Sequence, residues 1–218
     1  MNYLSRILCL SAFFLGNEIM AQDSTGLSGT PYQEVQSNVS PYLFKEWYSG
    51  TVRTDDDNVH DGVLLRYDIV KDELEYKAGS SLYRVKQTVK EFTIPSGTDL
   101  YIFKSGFPAT ENNNGKSFYR VMYDGETKLL KRYQTPIKIE KANATREMEP
   151  DAKLYIVKGD KVTQVYLKDK NSFLKLLSDE KNKMQYVIKE EQLEFDGDDD
   201  LARLLEEYDS YKAGRGGN

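Results

Sequence analysis

Residues 63–77 read VLLRYDIVKDELEYK, two alternating runs of apolar and polar residues on either side of a polar reversal. In the first run Leu65, Tyr67 and Ile69 lie two residues apart, and the second run alternates in the same way. Successive side chains of a β-strand point to opposite faces, so this spacing collects the apolar groups on one face. The segment predicts a β-hairpin that reverses near Lys71, with one buried and one wet face.

The same two-residue period recurs around Phe92, Ile137 and Val165. Residues 100–103 (LYIF) are apolar on both faces, which predicts a central strand. Two further reversals carry dipeptides that favour tight hairpin turns, because their residues tolerate positive φ: Asp124-Gly125 and Gly159-Asp160. Consecutive hairpins predict a meander in which sequence neighbours pair.

After residue 169 the period becomes helical. The strongest stripe, with spacing i, i+3, i+4, i+7, consists of Leu201, Leu204, Leu205 and Tyr208. Shorter apolar groups around Phe173 and Met184 predict one or two more helices, the first capped by Asn171 or Ser172. Acidic residues 198–200 sit where carboxylates favour the helix dipole.

The fold class expected from these patterns is α+β. A mainly antiparallel β meander of about ten strands (a curled sheet, half-barrel or sandwich) spans 41–168, and two or three short helices follow it. The domain plan is a signal peptide at 1–21, a disordered tether at 22–40, and one β-rich domain at 41–212 whose helical part is 169–212. Residues 213–218 are expected to be a disordered tail.

The N-terminus has the pattern of a secretory signal. Arg6 precedes an apolar run at residues 7–15, and Ala21 offers a cleavage site. The run is shorter than the roughly 20 residues that a membrane-spanning helix needs. Cleavage would remove Cys9, the only cysteine, so the mature chain would have no disulfide and no thiolate nucleophile. We expect an exported protein of the periplasm, cell envelope or extracellular space, with no membrane-spanning segment after cleavage.

Several function classes lack the residues they need. His60, the only histidine, lies in a polar segment that reads as an exposed loop, and no nucleophile, zinc, phosphate-loop or dinucleotide motif occurs. The net charge of −5 is concentrated in residues 169–212, with 7 Lys+Arg against 13 Asp+Glu. No basic patch suited to nucleic acid is visible. The sequence assigns no catalytic, cofactor-binding or metal-ligating residue.

Four features could still form a site, although each has a plainer structural interpretation. The first is a pair of acidic stretches. The turn at 55–61 could hold Ca²⁺, and residues 196–200 resemble part of a calcium loop, but the first reads more simply as a solvated turn and the second as a helix start. Glu73 and Glu75 share a strand face, as a carboxylate-based hydrolase would require. The tyrosines and Trp47 could form a binding platform. The fourth is a cavity for an apolar ligand, lined by Tyr101, Phe103, Phe118 and Met122.

Several segments together resemble a family of small exported proteins common in Bacteroidota. They are KEWYSGTV at 45–52, GVLLRYDI at 62–69, DELEY at 72–76, FLKLLSDEK at 173–181 and DLARLLEEYDSY at 200–211. The resemblance covers about residues 41–211 and implies export and a β-then-α layout. The family is uncharacterised, so the resemblance supplies no site residues.

The leading hypothesis for function is an exported, non-enzymatic protein with a binding or structural role. Its partner would be a protein, glycan or lipid. One alternative is a carrier of an apolar ligand or lipid in a curved-sheet cavity, and a second is the carboxylate-based hydrolase.

Overall fold

The computed structural model describes residues 26–34, 40–111, 113–134 and 151–214. These residues form a sheet of eleven strands followed by three helices. The strands are β1 (Gly29–Tyr32), β2 (Tyr48–Thr54), β3 (Val59–Asp68), β4 (Glu73–Ala78), β5 (Ser81–Val85), β6 (Val89–Ser96), β7 (Asp99–Lys104), β8 (Tyr119–Asp124), β9 (Thr127–Gln134), β10 (Asp151–Lys158) and β11 (Lys161–Val165). The helices are α1 (Lys170–Leu174), α2 (Lys181–Glu190) and α3 (Asp198–Lys212).

The prediction of an antiparallel sheet followed by short helices is confirmed. Neighbouring strands pair in the order β1-β5-β4-β3-β2-β6-β7-β8-β9-β10-β11, and every pair is antiparallel. Sequence neighbours pair from β2 to β5 and again from β6 to β11, as a meander requires. The two runs join through β2 and β6, so β5 pairs with β1 instead of β6. The predicted central strand is β7, with strands on both sides.

The three predicted hairpins form, but one for a different reason. Gly159 has φ of +57°, which fits the expected turn chemistry. Gly125 does not adopt positive φ; a Cβ there would lie 2.4 Å from Asp209 Oδ2 and 2.3 Å from the Tyr123 hydroxyl. Glycine is required at this turn because helix α3 approaches it closely, and not because of its backbone angle.

One face of the sheet, which we call the inner face, carries both large cores. The first core lies on β2–β7 and is rich in aromatic rings. Tyr67 of β3 contacts Phe103 of β7, with ring centroids 5.2 Å apart, although three strand spacings of about 4.8 Å separate these strands. The sheet therefore curls strongly across its first half, and among the described strands its two ends, β1 and β11, do not pair to close a barrel.

The three helices cover the inner face of the second half. Buried apolar residues of β9–β11 pack against α1, α2 and α3 in the second core, which includes Leu129, Ile156, Val187 and Leu204. The predicted helical stripe is buried in α3. The N-cap of helix α1 is Asp169, two residues before Asn171, the nearer of the expected caps, because its side chain accepts the N–H of Asn171.

The opposite, outer face of the sheet has a smaller apolar cluster. It consists of Tyr119, Leu130, Tyr155 and Val157, and Phe107 of the segment between β7 and β8 packs over it. The rings of Phe107 and Tyr119 meet edge to face at 5.6 Å. The outer face is thus apolar in its second half and polar in its first.

Two expectations need correction. Part of the predicted tether at 22–40 is ordered: β1 pairs with β5, and Leu27 is buried in the first core at 4% exposure. Leu27 and Tyr32 supply the packing that the Ser, Thr and Gly around them do not. His60 lies on β3 opposite Val52, not in a loop, because a bulge in the β2–β3 ladder extends the pairing through it.

Some predictions fall on residues that the structure does not describe. These are the signal peptide at 1–21 with Cys9, the strand around Ile137, most of the loop at 142–152, and residues 215–218 of the predicted tail. No described helix has the length and apolar character needed to cross a membrane.

Candidate functional site

A row of charged residues crosses the outer face of β3, β4 and β5. Arg66 pairs in register with Glu75, and Glu75 with Arg84. The row lies on the outer face of the sheet, across from the first core, and alternation predicts that side chains on this face are solvated. Instead Arg66 is 4% exposed and Glu75 is 1% exposed. Charged groups are seldom buried so fully without partners, so the covering groups define the site.

The N-terminal segment supplies part of the cover. The Tyr32 hydroxyl donates to the Glu75 carboxylate, and Arg66 Nη2 donates to Tyr32 at 3.2 Å. Glu34 forms an ion pair with Arg66 Nη1, at 2.9 Å. Arg84 lies over the Tyr32 ring at 4.8 Å. The segment that continues β1 thus crosses the charged row and neutralises it.

Two aromatic rings complete the cover over Arg66. Its guanidinium carbon lies 3.5 Å from the centroid of the Tyr42 ring and 4.2 Å from that of the Trp47 ring. A cation over an aromatic face is stabilised by the ring quadrupole, and the effect grows when the pair is shielded from water. Trp47, expected as part of an open platform, is instead half-buried against a buried cation.

The electrostatics of the cluster oppose nucleophilic chemistry. Burial and the hydrogen bond to Glu75 raise the pKa of Tyr32 well above its usual value. Burial and the charge of Glu75 raise the pKa of Tyr42 to about 12. Both phenols therefore stay protonated at neutral pH and act as hydrogen-bond donors.

The Glu73 and Glu75 pair, singled out as a hydrolase candidate, is brought together on one face but held by a cation. Arg84 Nε lies 3.3 Å from Glu73 and 3.7 Å from Glu75. Glu73 is exposed whereas Glu75 is sealed beneath Tyr32. A glycosidase needs both carboxyl groups to face one cleft, and these two do not.

A shallow groove of about 630 Å³ adjoins the cluster at the β1 side of the sheet. It is lined by Pro31, Tyr32, Gln33, Glu34, Ser80, Ser81, Leu82 and Tyr83. Among the described lining residues, Glu34 alone is charged, and its carboxylate is paired with Arg66. The groove therefore offers hydroxyl, amide and ring surfaces without an unpaired charge among these residues.

The acidic stretches bond locally. Asp56 accepts from Thr54 and Asn58, and Asp57 pairs with Lys90 at 3.0 Å. In the second stretch, Asp200 accepts the N–H groups of Glu194 and Phe195. Among the described residues, no three His, Cys, Asp or Glu side chains are grouped as a metal ion would require.

The four residues expected to line an apolar cavity do not share one space. Phe103 and Phe118 are buried among rings of the first core: Phe103 stacks on Phe92, and Phe118 meets Phe92 edge to face. Tyr101 is half-buried beneath Phe44 and Arg120. Met122 packs against the second core. Side chains of the chain itself occupy the region around Phe103.

The buried row was not predicted from the sequence. A signal for its register exists, since a reversal near Lys71 places Arg66 opposite Glu75. Its burial had no signal, because the covering residues Tyr32 and Glu34 fall in a segment that was interpreted as disordered.

Comparisons with known proteins add no relative: no family model, curated protein or solved structure matches the chain.

Proposed function

We propose that this is an exported, non-enzymatic binding protein, and that the groove beside the Arg66 cluster receives its partner. The observation that carries the proposal is that charged and neutral groups are separated at this site. Charged groups are paired with one another beneath the N-terminal segment, and the adjoining groove presents neutral polar and aromatic groups.

Such a lining favours a neutral, hydroxyl-rich ligand, such as a glycan of the cell envelope. Gln33, Ser80 and Ser81 can donate and accept hydrogen bonds, and Tyr32 and Tyr83 add ring surfaces. An ionic ligand would find no opposing charge free among the lining residues. A ligand site of this kind needs a few placed polar groups on a preformed surface, and the β1–β5 end of the sheet provides that surface.

Export belongs to the proposal because a partner in the envelope requires it. The support is the Arg6 and apolar-run pattern and the site at Ala21. Intact mass of the protein recovered from the envelope or medium checks it. We expect the mass of a chain beginning near Gln22, and a chain that retains Met1 would refute cleavage.

Binding of soluble envelope polysaccharides, measured by calorimetry, tests the groove. The double variant Gln33→Ala/Ser81→Ala removes two exposed lining groups without touching the sheet hydrogen bonds. We expect its affinity to fall about tenfold, since each lost hydrogen bond contributes roughly 0.5–1.5 kcal/mol. The matched control Ser178→Ala/Gln185→Ala changes the same residue types on the exposed helical side and should bind as the parent does.

Equal loss in both double variants would assign the effect to folding and not to the groove. Unchanged binding in the groove variant would remove the groove from the proposal. Release of shortened sugar chains during incubation would contradict the non-enzymatic assignment.

A further inference from the structure

The two edges of the sheet differ in how they end. Within the described residues, β1 pairs with β5 alone and β11 with β10 alone, so each has one open side. Unpaired backbone groups along a sheet edge are a template for another strand, and proteins usually block such edges with short strands, proline or charge. Whether each edge is blocked therefore indicates whether it is available for pairing.

The β1 edge is blocked. The Lys86 N–H donates to Ser28 C=O, so Ser28, Thr30 and Tyr32 face β5 while Gly29 and Pro31 face outward. Pro31 has no N–H to offer. This four-residue strand presents a single outward donor, that of Gly29.

The β11 edge is blocked less, although it is only five residues long and begins with Lys161. Its two-residue turn makes Lys158 and Lys161 a hydrogen-bonded pair, so Val162 and Gln164 point their N–H and C=O groups away from β10. The strand contains no proline, and in this part of the chain the pairing of β10 with β11 has no bulge. Tyr166, just beyond it, is 57% exposed. The free stretch ends there, because Tyr166 N–H donates to Ser172 Oγ.

We propose that β11 pairs with β11 of a second copy, antiparallel about a two-fold axis at Thr163. In this register Val162 of each copy lies opposite Gln164 of the other, so the outward groups of both residues bond to each other. Thr163 faces its own counterpart as a non-hydrogen-bonded pair. The edge is thus self-complementary, as a two-fold interface requires.

Side chains and charge also fit a second copy. Val162, Gln164 and Tyr166 share the outer face, and the register places each Tyr166 ring diagonally across from Val162 of the other copy. It also brings the turn residue Asp160 to the strand end of the other copy, where Lys168 follows Tyr166. Asp160 and Lys168 are exposed and of opposite charge. Pairing through five residues buries little surface, so the dimer should be weak and concentration-dependent.

A single engineered thiol tests the register. In a Cys9→Ser background the chain has no other cysteine, so Thr163→Cys carries the only thiol. Cα atoms of a non-hydrogen-bonded antiparallel pair lie about 4.5 Å apart, within the range a disulfide spans. We expect rapid cross-linking under mild oxidation. The matched variant Val162→Cys has no thiol opposite it and should cross-link at least tenfold more slowly.

Sedimentation over about 5–500 µM, where mass action drives a weak dimer, tests the edge itself. Gln164→Pro removes the outward N–H without disturbing the bonds to β10, and it should leave only monomer, whereas Gln164→Ala should dimerise like the parent. Circular dichroism verifies that both variants fold. The proposal is overturned if the parent stays monomeric, if Gln164→Pro still dimerises, or if thiols at 162 and 163 cross-link equally. Binding of a foreign strand-forming peptide in place of a second copy would likewise overturn it.

Discussion

The two halves of the inner face bury their apolar surfaces in different ways. Across β2–β7 the sheet curls until rings on distant strands meet, and Tyr67, Phe92 and Phe103 contact one another directly. Across β8–β11 smaller side chains of the strands, such as Leu129 and Ile156, lie beneath apolar residues of the helices. Large rings on a curled sheet replace a covering layer, whereas smaller aliphatic groups need one.

A polar boundary separates the two cores on the same face. Arg120 lies over the Tyr101 ring at 3.7 Å and donates to the Tyr133 hydroxyl. Its neighbour Lys131 pairs with Asp198, at the start of helix α3, at 2.8 Å. The boundary therefore marks where the curl ends and also fixes one end of the helical layer.

The largest expected effect comes from removing a ring at the centre of the curled half. Phe92→Ala deletes a fully buried ring that contacts Tyr67, Phe103 and Phe118, and it should lower the free energy of unfolding by about 4 kcal/mol. Leu204→Ala removes an equally buried side chain of helix α3 and should lower it by about 3 kcal/mol. Urea unfolding followed by circular dichroism measures both.

The shape of these transitions sharpens the comparison. If the sheet unites the halves, each variant shifts one common transition. Two separated transitions, of which each variant shifts only one, would show that the halves unfold independently.

The next effect concerns the outer face of the curled half. Arg66→Met should lower the free energy of unfolding by about 3 kcal/mol, because the buried Glu75 carboxylate loses the nearer of its two cations and keeps Arg84 at 3.7 Å. Adding Glu75→Gln removes that charge while keeping an acceptor for Tyr32, so the double variant should recover much of the loss. Chemical denaturation of both single variants and the double variant gives the coupling energy. Additive losses would contradict a shared buried ion pair.

Local alternation predicted the fold well, since both the strand period around Leu65 and the helical stripe in α3 reflect burial on one side of an element. Contacts between distant segments had no such pattern. Asp72, in the turn between β3 and β4, accepts hydrogen bonds from the Tyr67 hydroxyl, the Phe118 N–H and Arg132, and so joins segments far apart in the chain. No sequence period records a contact of that kind.

The candidate site was hidden for the same reason. Glu75 reads as a surface residue because it alternates with Leu74 and Tyr76, whereas Tyr32, more than 40 positions away, lies over it and donates to its carboxylate. Gly125 likewise reads as a turn residue, although the space for a side chain there is taken by the Asp209 carboxylate of α3 and the Tyr123 hydroxyl. The features that the sequence did not predict are those that depend on contacts between residues far apart in the chain.

The smallest effect belongs to the helical half and depends on pH. Burial alone would raise the pKa of the Asp179 carboxyl, but hydrogen bonds from Tyr208, Lys158 and Lys212 lower it well below its usual range. A carboxyl whose pKa is lowered in the folded state stabilises that state at neutral pH, and the contribution is lost as acid protonates it.

Asp179→Asn should therefore lower the free energy of unfolding at pH 7, by less than about 1 kcal/mol because the side chain is 41% exposed. The difference from the parent should narrow as the pH falls from about 5 towards 2. Urea unfolding across that range measures it, with Asp99→Asn as the control for a carboxylate that is solvent-exposed at the start of β7. A difference that stays constant with pH would mean that the Asp179 contacts act through geometry alone and that the helical layer is held by packing.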